Sequence, residues 1–354
     1  MSYTSIIRFV CISLLCCGII MSLLYVTMGR TNRTKNGFNR RLPVAKLTPL
    51  QEVPLPYQDF YIAGVTSDKV YMGTIRSALR LFVCDSGLHN IRPLRLHFPD
   101  SVKFTIQSAR FAVDSPHVYL SDGITPRFFR GDLQHLEMDT FLSRSSYFTA
   151  TTNISPASFA VRAVNANSRS NMLLKVQADS PYVIRPPEVL QKQVDGIFCT
   201  DGLFRFDKSS NRIVYMYYYR NQYLVLDSNL NVLRTVNTID TNSIAKISVA
   251  STSADGNVML SSPPAFVNNT YCLSGDHIFI CSALLGDNES PKVVDNGNIV
   301  DIYSLKDGNY IRTLYIPKPH NEGLREMCII NNKLLAIYSR EYVVYNLPQD
   351  LLLQ

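Results

Sequence analysis

Three segments of this chain read alike. LFVCDSGLHNIRPLRL starts at Leu81, YLVLDSNLNVLRTVNT at Tyr223 and VDIYSLKDGNYIRTLYI at Val300. Each is a run of β-branched and aromatic residues, a polar turn, and a second such run, which is the pattern of a β-hairpin. Arg92 and Arg234 hold matching places and lie 142 residues apart, or about 47 per unit if three units intervene. From Tyr303-Ser304-Leu305 to Tyr345-Asn346-Leu347 the offset is 42. Both values fit an all-β propeller, whose four-stranded blades recur every ~40–50 residues around an axis. Between Arg234 and Arg312 the offset is 78, which requires one blade plus an insertion, placed at 241–265.

The repeat divides the chain into six blades: 57–98, 103–140, 153–190, 194–240, 266–317 and 322–354. The last has room for three strands, so the chain leading into Tyr57 is expected to supply the closing strand; an open blade exposes an unpaired edge. A seven-bladed ring is the alternative count, and a two-sheet sandwich would leave the repeat unexplained. Turn pairs such as Asp122-Gly123, Asp195-Gly196, Asp201-Gly202, Ser274-Gly275 and Asp307-Gly308 supply hairpin chemistry. The propeller subfamilies marked by signature tryptophans are disfavoured, because the chain has none.

The runs QKQVDGIFCTDG (191–202), YMYYYRNQY (215–223), LLGDNE (284–289) and VDIYSLKDGNYI (300–311) resemble a family of uncharacterised bacterial membrane-anchored propeller proteins. The similarity spans about 57–347. It implies a fold and an anchor; the family has no assigned activity, and no functional residue is carried over.

Residues 9–28 form 20 consecutive uncharged positions, the length of one transmembrane helix, with neither the short apolar core nor the cleavage site of a signal peptide. The domain reading is therefore a tail (1–8), a transmembrane anchor (9–28), a basic, proline-containing tether (29–56) and the propeller (57–354). Arg30, Arg33, Lys35, Arg40 and Arg41 follow the anchor. The positive-inside rule alone would keep that side cytoplasmic, but long domains are exported despite such charge. The expectation is an extracytoplasmic, periplasmic propeller, with the basic stretch solvated or held at anionic lipid.

The net charge of +7 lies in this N-terminal part. Seven of the 35 basic residues precede Glu52, leaving 28 against 28 acidic residues in the remainder. A neutral domain lacks the basic face of a nucleic-acid binder. Cys84, Cys199, Cys272, Cys281 and Cys328 show no CxxC spacing and read as free thiols. No GxSxG, GxGxxG or GxxxxGK[ST] element is present, and the six histidines show no paired spacing.

Three constellations are candidates for function. Tyr215, Tyr217, Tyr218, Tyr219, Arg220, Asn221, Gln222 and Tyr223 offer a guanidinium, amides and stacking rings, the residue types enriched in binding hot spots; inter-blade packing is the structural alternative. Gln191, Lys192 and Gln193, ahead of an expected DGIFCTDG hairpin, would line the channel or sit in a solvated connection. Asp122, Asp195, Asp201, Asp287 and Glu289 are loop carboxylates. Converging at the channel they would hold calcium, as in six-bladed lactonases and phosphotriesterases, where the ion polarises a carbonyl or phosphoryl oxygen; otherwise they cap turns. The leading expectation is a binding or scaffold module without a cofactor, for a protein, peptide or glycan. The alternative is a calcium-dependent hydrolase.

Overall fold

The computed structural model describes residues 3–31, 35–87, 89–99, 108–142, 147–251 and 258–348. Residues 60–94, 110–142, 148–184, 202–237, 268–317 and 326–346 form six successive antiparallel blades. The first strands of the blades (Phe60–Val65, Arg110–Asp114, Phe148–Ser155, Gly202–Asp207, Asn268–Ser274 and Glu326–Ile330) neighbour one another around the ring. The chain is a six-bladed β-propeller. The expected starts of the second blade at 103 and the chain end at 349–354 fall outside the described residues.

The ring closes with upstream chain. Pro49–Pro54 runs antiparallel to Glu341–Asn346, with Pro49 opposite Tyr345 and Pro54 opposite Glu341, and becomes the outer strand of blade 6. Ala45–Lys46 adds a short parallel strand to Tyr310–Pro317 at the edge of blade 5. Both additions cover edges that would otherwise present unpaired N–H and C=O groups.

Alternation along the strands explains why the middle strands are almost continuously apolar. In Lys333–Ile337, Leu334 and Ala336 enter the cluster shared with blade 5, while Leu335 and Ile337 enter the cluster shared with blade 1. In Arg212–Tyr217, Ile213, Tyr215 and Tyr217 face blade 3 and Val214 and Met216 face blade 5. Two further clusters fill the seams between blades 1 and 2 and between blades 2 and 3. Each seam therefore has its own core. Outer strands lose one neighbour, and Val232–Asn237 is exposed at all positions but Val236.

The hairpin at 274–277 turns through Gly275 at φ 54°, a conformation open to glycine. It sets Cys272 opposite Phe279 and Cys281 opposite Thr270, and all eight cysteines are free. The DGIFCTDG segment is not the expected hairpin. Gly202 opens the inner strand of blade 4, and a Cβ there would lie 2.1 Å from the Met216 carbonyl oxygen. The insertion at 241–265 carries its own hairpin, Val249–Ser251 with Val258–Leu260.

The helix α1 (Tyr3–Thr31) precedes the propeller. Its side chains are described for Ser5, Arg8, Phe9 and residues 11–22, and Phe9, Leu14, Leu15 and Met21 are exposed. Among the described residues no helix is long and apolar enough to cross a membrane; the span expected at 9–28 is not carried by them. Arg33 lies outside the described residues.

From Asn36 onward the basic stretch is built into the propeller. Asn36 and Gly37 donate backbone N–H groups to the Asp287 carboxylate at 2.8 and 3.2 Å. Asp287 N–H donates to the Phe38 carbonyl at 2.8 Å. Arg40, only 3% exposed, makes a two-pronged contact with Asp301 through Nε and Nη2, both at 2.8 Å, and pairs with Glu289 through Nη1. Burial opposes this charge, but Asp301 and Glu289 outweigh it and hold the guanidinium pKa above the ordinary arginine value. Arg40 is thus unavailable to lipid.

Candidate functional site

Strand direction gives the ring two unlike faces. The turns between second and third strands, and the connections between blades, emerge on one face, here called upper. The other hairpin turns form the lower face. Lower turns are capped by carboxylates: Asp132 accepts the Gln134 N–H at 2.7 Å, Asp207 that of Ser210 at 2.9 Å and Asp227 that of Asn229 at 2.8 Å. The N–H groups of Gln134 and His135 hold the Asp132 carboxyl below its usual range.

The upper face carries the tyrosine-rich segment. Tyr217 ends the second strand of blade 4 and Gln222 starts the third, so Tyr218–Asn221 form the turn. Buried Asn268 fixes it from blade 5, donating to the carbonyls of Tyr217 at 2.9 Å and Arg220 at 3.0 Å. Asn221 donates its amide to the Asp240 carbonyl at 2.5 Å and its backbone N–H to the Asn242 carbonyl at 2.9 Å. Tyr219 packs with Cys199 and Ala245 and meets the Phe266 ring at 5.0 Å. Asn221 and Tyr219 therefore join this turn to the 241–265 insertion. The backbone N–H of Gln222 donates to the Arg220 carbonyl at 2.8 Å.

Three of the expected groups do meet. Arg220, 1% exposed, lies 3.6 Å over the Tyr217 ring and donates Nη1 to the Gln191 carbonyl at 3.0 Å. Its Nε and Nη2, and the Tyr217 hydroxyl, are buried. The Gln191 and Lys192 side chains are exposed. Gln193 instead ties the connection to the insertion, donating to the Ser243 carbonyl and accepting from Ala245 N–H, both at 2.9 Å.

The five candidate metal ligands do not converge. Asp122 caps its own turn, accepting from Ile124 N–H at 3.0 Å and from the Thr125 hydroxyl. Asp195 accepts three backbone N–H groups, from Ile197, Phe198 and Cys199, at 2.7–3.0 Å. Asp201 pairs with Arg162 at 2.5 Å. Asp287 and Glu289 hold residues 36–40 in blade 5. Among the described residues, no group of three or more His, Cys, Asp or Glu is placed to hold a metal ion. Burial pushes the thiols of Cys84, Cys272 and Cys281 up to about 12, which keeps them protonated and weakly nucleophilic.

Two features were missed by sequence reasoning. Near the axis, Arg205 of blade 4 approaches Glu326 of blade 6 at 4.0 Å, and Glu326 also accepts the Ile62 N–H of blade 1 at 2.8 Å. Burial disfavours the Arg205 charge, yet Glu326 and the Tyr271 phenol outweigh it and raise its pKa. The axis therefore carries an arginine–carboxylate pair. The second is a cleft of about 340 Å³ on the upper face of blade 1, lined by residues including Tyr57, Asp59, Arg76 and Arg80. A sequence signal existed for the Arg40 partner: Asp301 is a lone charge between Val300 and Ile302, and such a residue in an apolar strand calls for a buried cation.

No protein-family model matches the chain, and no curated protein matches it. Among solved structures it is similar to a member of the DUF4221 family from Bacteroides vulgatus, with a TM-score of 0.54 and 13% identity over 85% of this chain and 97% of that one. It is also similar to virginiamycin B lyase from Staphylococcus aureus, at TM-score 0.48 and 10% identity over 83% and 97% of the two chains. YCF48 bound to D1 peptide gives 0.49 and 8% over 87% and 100%. At such identities the first likeness shows a shared fold, and the other two add no argument.

Proposed function

We propose that this chain is a non-catalytic binding module, held at a membrane through residues 9–28, that engages a protein partner with its upper face. The observation that carries this reading is the uneven distribution of exposed apolar side chains. Ile75, Ile124, Tyr147, Val194, Ile244 and Phe266 are all exposed and all lie on upper loops. Apolar surface gathered on one face marks an interaction site more often than the same residues scattered singly. The loops beneath are stiffened by the Asn221, Asn268 and Gln193 hydrogen bonds, so the face is presented with little ordering cost.

The membrane part of the proposal rests on the uncharged run 9–28 and on covalent reach. Asn36 is docked on Asp287, and only five residue steps separate it from Thr31 at the end of α1. Five steps span at most roughly 17 Å. A helix embedded in a bilayer would keep the upper rim of blade 5 close to the head groups, with the propeller on the extracytoplasmic side. The partner is then a protein at the same membrane surface.

Photo-crosslinking tests the binding face. A benzophenone amino acid replaces Phe266 on the upper face or Tyr182 on the lower face, two sites of similar exposure at 41% and 45%. The expected result is a discrete crosslinked product from position 266 and none from 182 in cells making the full chain. Equal products from both positions, or none from 266, would contradict the reading.

A further inference from the structure

The cleft on blade 1 stands apart from the tyrosine-rich turn and is independent of whether α1 enters a membrane. One wall is the connection Pro56–Asp59, which links the outer strand of blade 6 to the inner strand of blade 1 and so crosses the seam where the ring closes. The other wall is the upper turn of blade 1, with Thr74, Arg76, Ser77 and Arg80.

Both walls are held in place. Asp59 accepts the Arg76 backbone N–H at 2.5 Å through its carboxylate, and its carbonyl accepts the Ile75 N–H at 3.1 Å. Buried Thr74 donates its hydroxyl to the Ser77 carbonyl at 2.9 Å. Tyr57 packs against Phe60 and Phe82, each with ring centroids 5.8 Å away. Arg80 donates to the Tyr57 hydroxyl at 3.0 Å and lies 5.9 Å over its ring. From blade 6, Arg325 donates to the Gln58 carbonyl. Arg80 is thus positioned on a fixed aromatic ring, and Arg76, itself exposed, is part of the same lining.

We infer that this cleft binds the phosphate ester of a polyol. The lining sets two arginines, Arg76 and Arg80, against the one carboxylate of Asp59, an excess of positive charge that suits a phosphate. The cleft volume of about 340 Å³ leaves room beyond a lone anion and sits at the small end of ligand pockets. Asp59 spends one oxygen on the Arg76 N–H and retains acceptor capacity for a ligand hydroxyl, while Tyr57 offers a flat surface to a carbon ring. A soluble sugar phosphate and a glycerol- or inositol-based lipid head group share this chemistry.

The test titrates glucose 6-phosphate and glucose into the full chain in nonionic detergent, followed by calorimetry. Glucose 6-phosphate is expected to bind and glucose not. R76A and R80A should each weaken binding about tenfold or more, the scale of a charge-assisted fork lost, and D59N should narrow the preference for glucose 6-phosphate over inorganic phosphate. Because Arg76 and Arg80 are exposed, these variants should melt with the parent, which separates lost binding from lost folding. In vesicles, weaker binding of glucose 6-phosphate when phosphatidylglycerol is added to phosphatidylcholine identifies the lipid as the competing source; unchanged binding identifies the soluble ester. No binding of glucose 6-phosphate, or equal binding of glucose, would overturn the inference. So would R76A and R80A variants that bind like the parent.

Discussion

Arg40 shows what a single residue does in this molecule. It brings a buried cation to two buried carboxylates, and Glu289 also accepts the Tyr315 hydroxyl while Asp301 accepts the Thr313 hydroxyl at 2.5 Å. Removing the cation leaves two charges without a counter-ion in a desolvated site. R40M is therefore expected to lower stability by about 3–5 kcal/mol, read from the urea midpoint. Adding D301N and E289Q should restore much of the loss. An R40M midpoint equal to the parent would show that the triad does not hold the N-terminal segment. Sequence alone assigned Arg40 to a solvated or lipid-bound tether because its partners lie 249 and 261 positions away. Charge composition records the cation and says nothing about distant acids. The tyrosine-rich turn was partly legible. The residue types named Tyr217 and Arg220, which stack on each other, while Gln191 reaches Arg220 only through its backbone carbonyl; whether each ring faces a seam or a ligand depends on strand register.

At the scale of elements, the hairpins were the most legible part. The three matching segments are the third and fourth strands of blades 1, 4 and 5, and Arg92, Arg234 and Arg312 all lie on outer strands. The repeat survives because every blade must send alternate residues into two seams, which limits what its strands can contain. Turn dipeptides were less informative. Asp195-Gly196 and Asp201-Gly202 have hairpin composition, yet Asp195 spends its carboxylate on three consecutive N–H groups of a connection. The 78-residue offset revealed the insertion, and the structure shows why it is tolerated. Ser261 N–H donates to the Ser248 carbonyl at 2.9 Å, so the ends of its hairpin are adjacent, and among the described residues its two strands pair only with each other. Replacing residues 249–260 with a short Gly-Ser link should leave stability within about 0.5 kcal/mol. A loss of several kcal/mol in thermal or urea unfolding would show that the hairpin supports the ring.

For the whole molecule, six blades follow from repeat spacing, and the closing strand from the shortage of strands in the last blade. The unlike character of the two faces was not legible, because it depends on which loops share a side. Tyr147, Val194, Ile244 and Phe266 lie on separate connections in the sequence and come to share the upper face only when the ring closes. The same closure places Asn36 beside the upper loops at 241 and 284–289, where Thr241 donates its hydroxyl to the Asn36 carbonyl at 2.6 Å. Membrane tethering through residues 9–28 would therefore bring the upper rim of blade 5 towards lipid. The absence of tryptophan from the chain gives a direct way to measure this. F266W and Y182W, each in the full chain reconstituted into vesicles and excited at the red edge beyond tyrosine absorption, report from opposite faces against no other tryptophan. With a head-group spin-labelled phosphatidylcholine as a short-range quencher, F266W should be quenched strongly and Y182W should keep its emission. Equal quenching at the two positions, or stronger quenching at 182, would contradict a propeller held upper face towards the membrane.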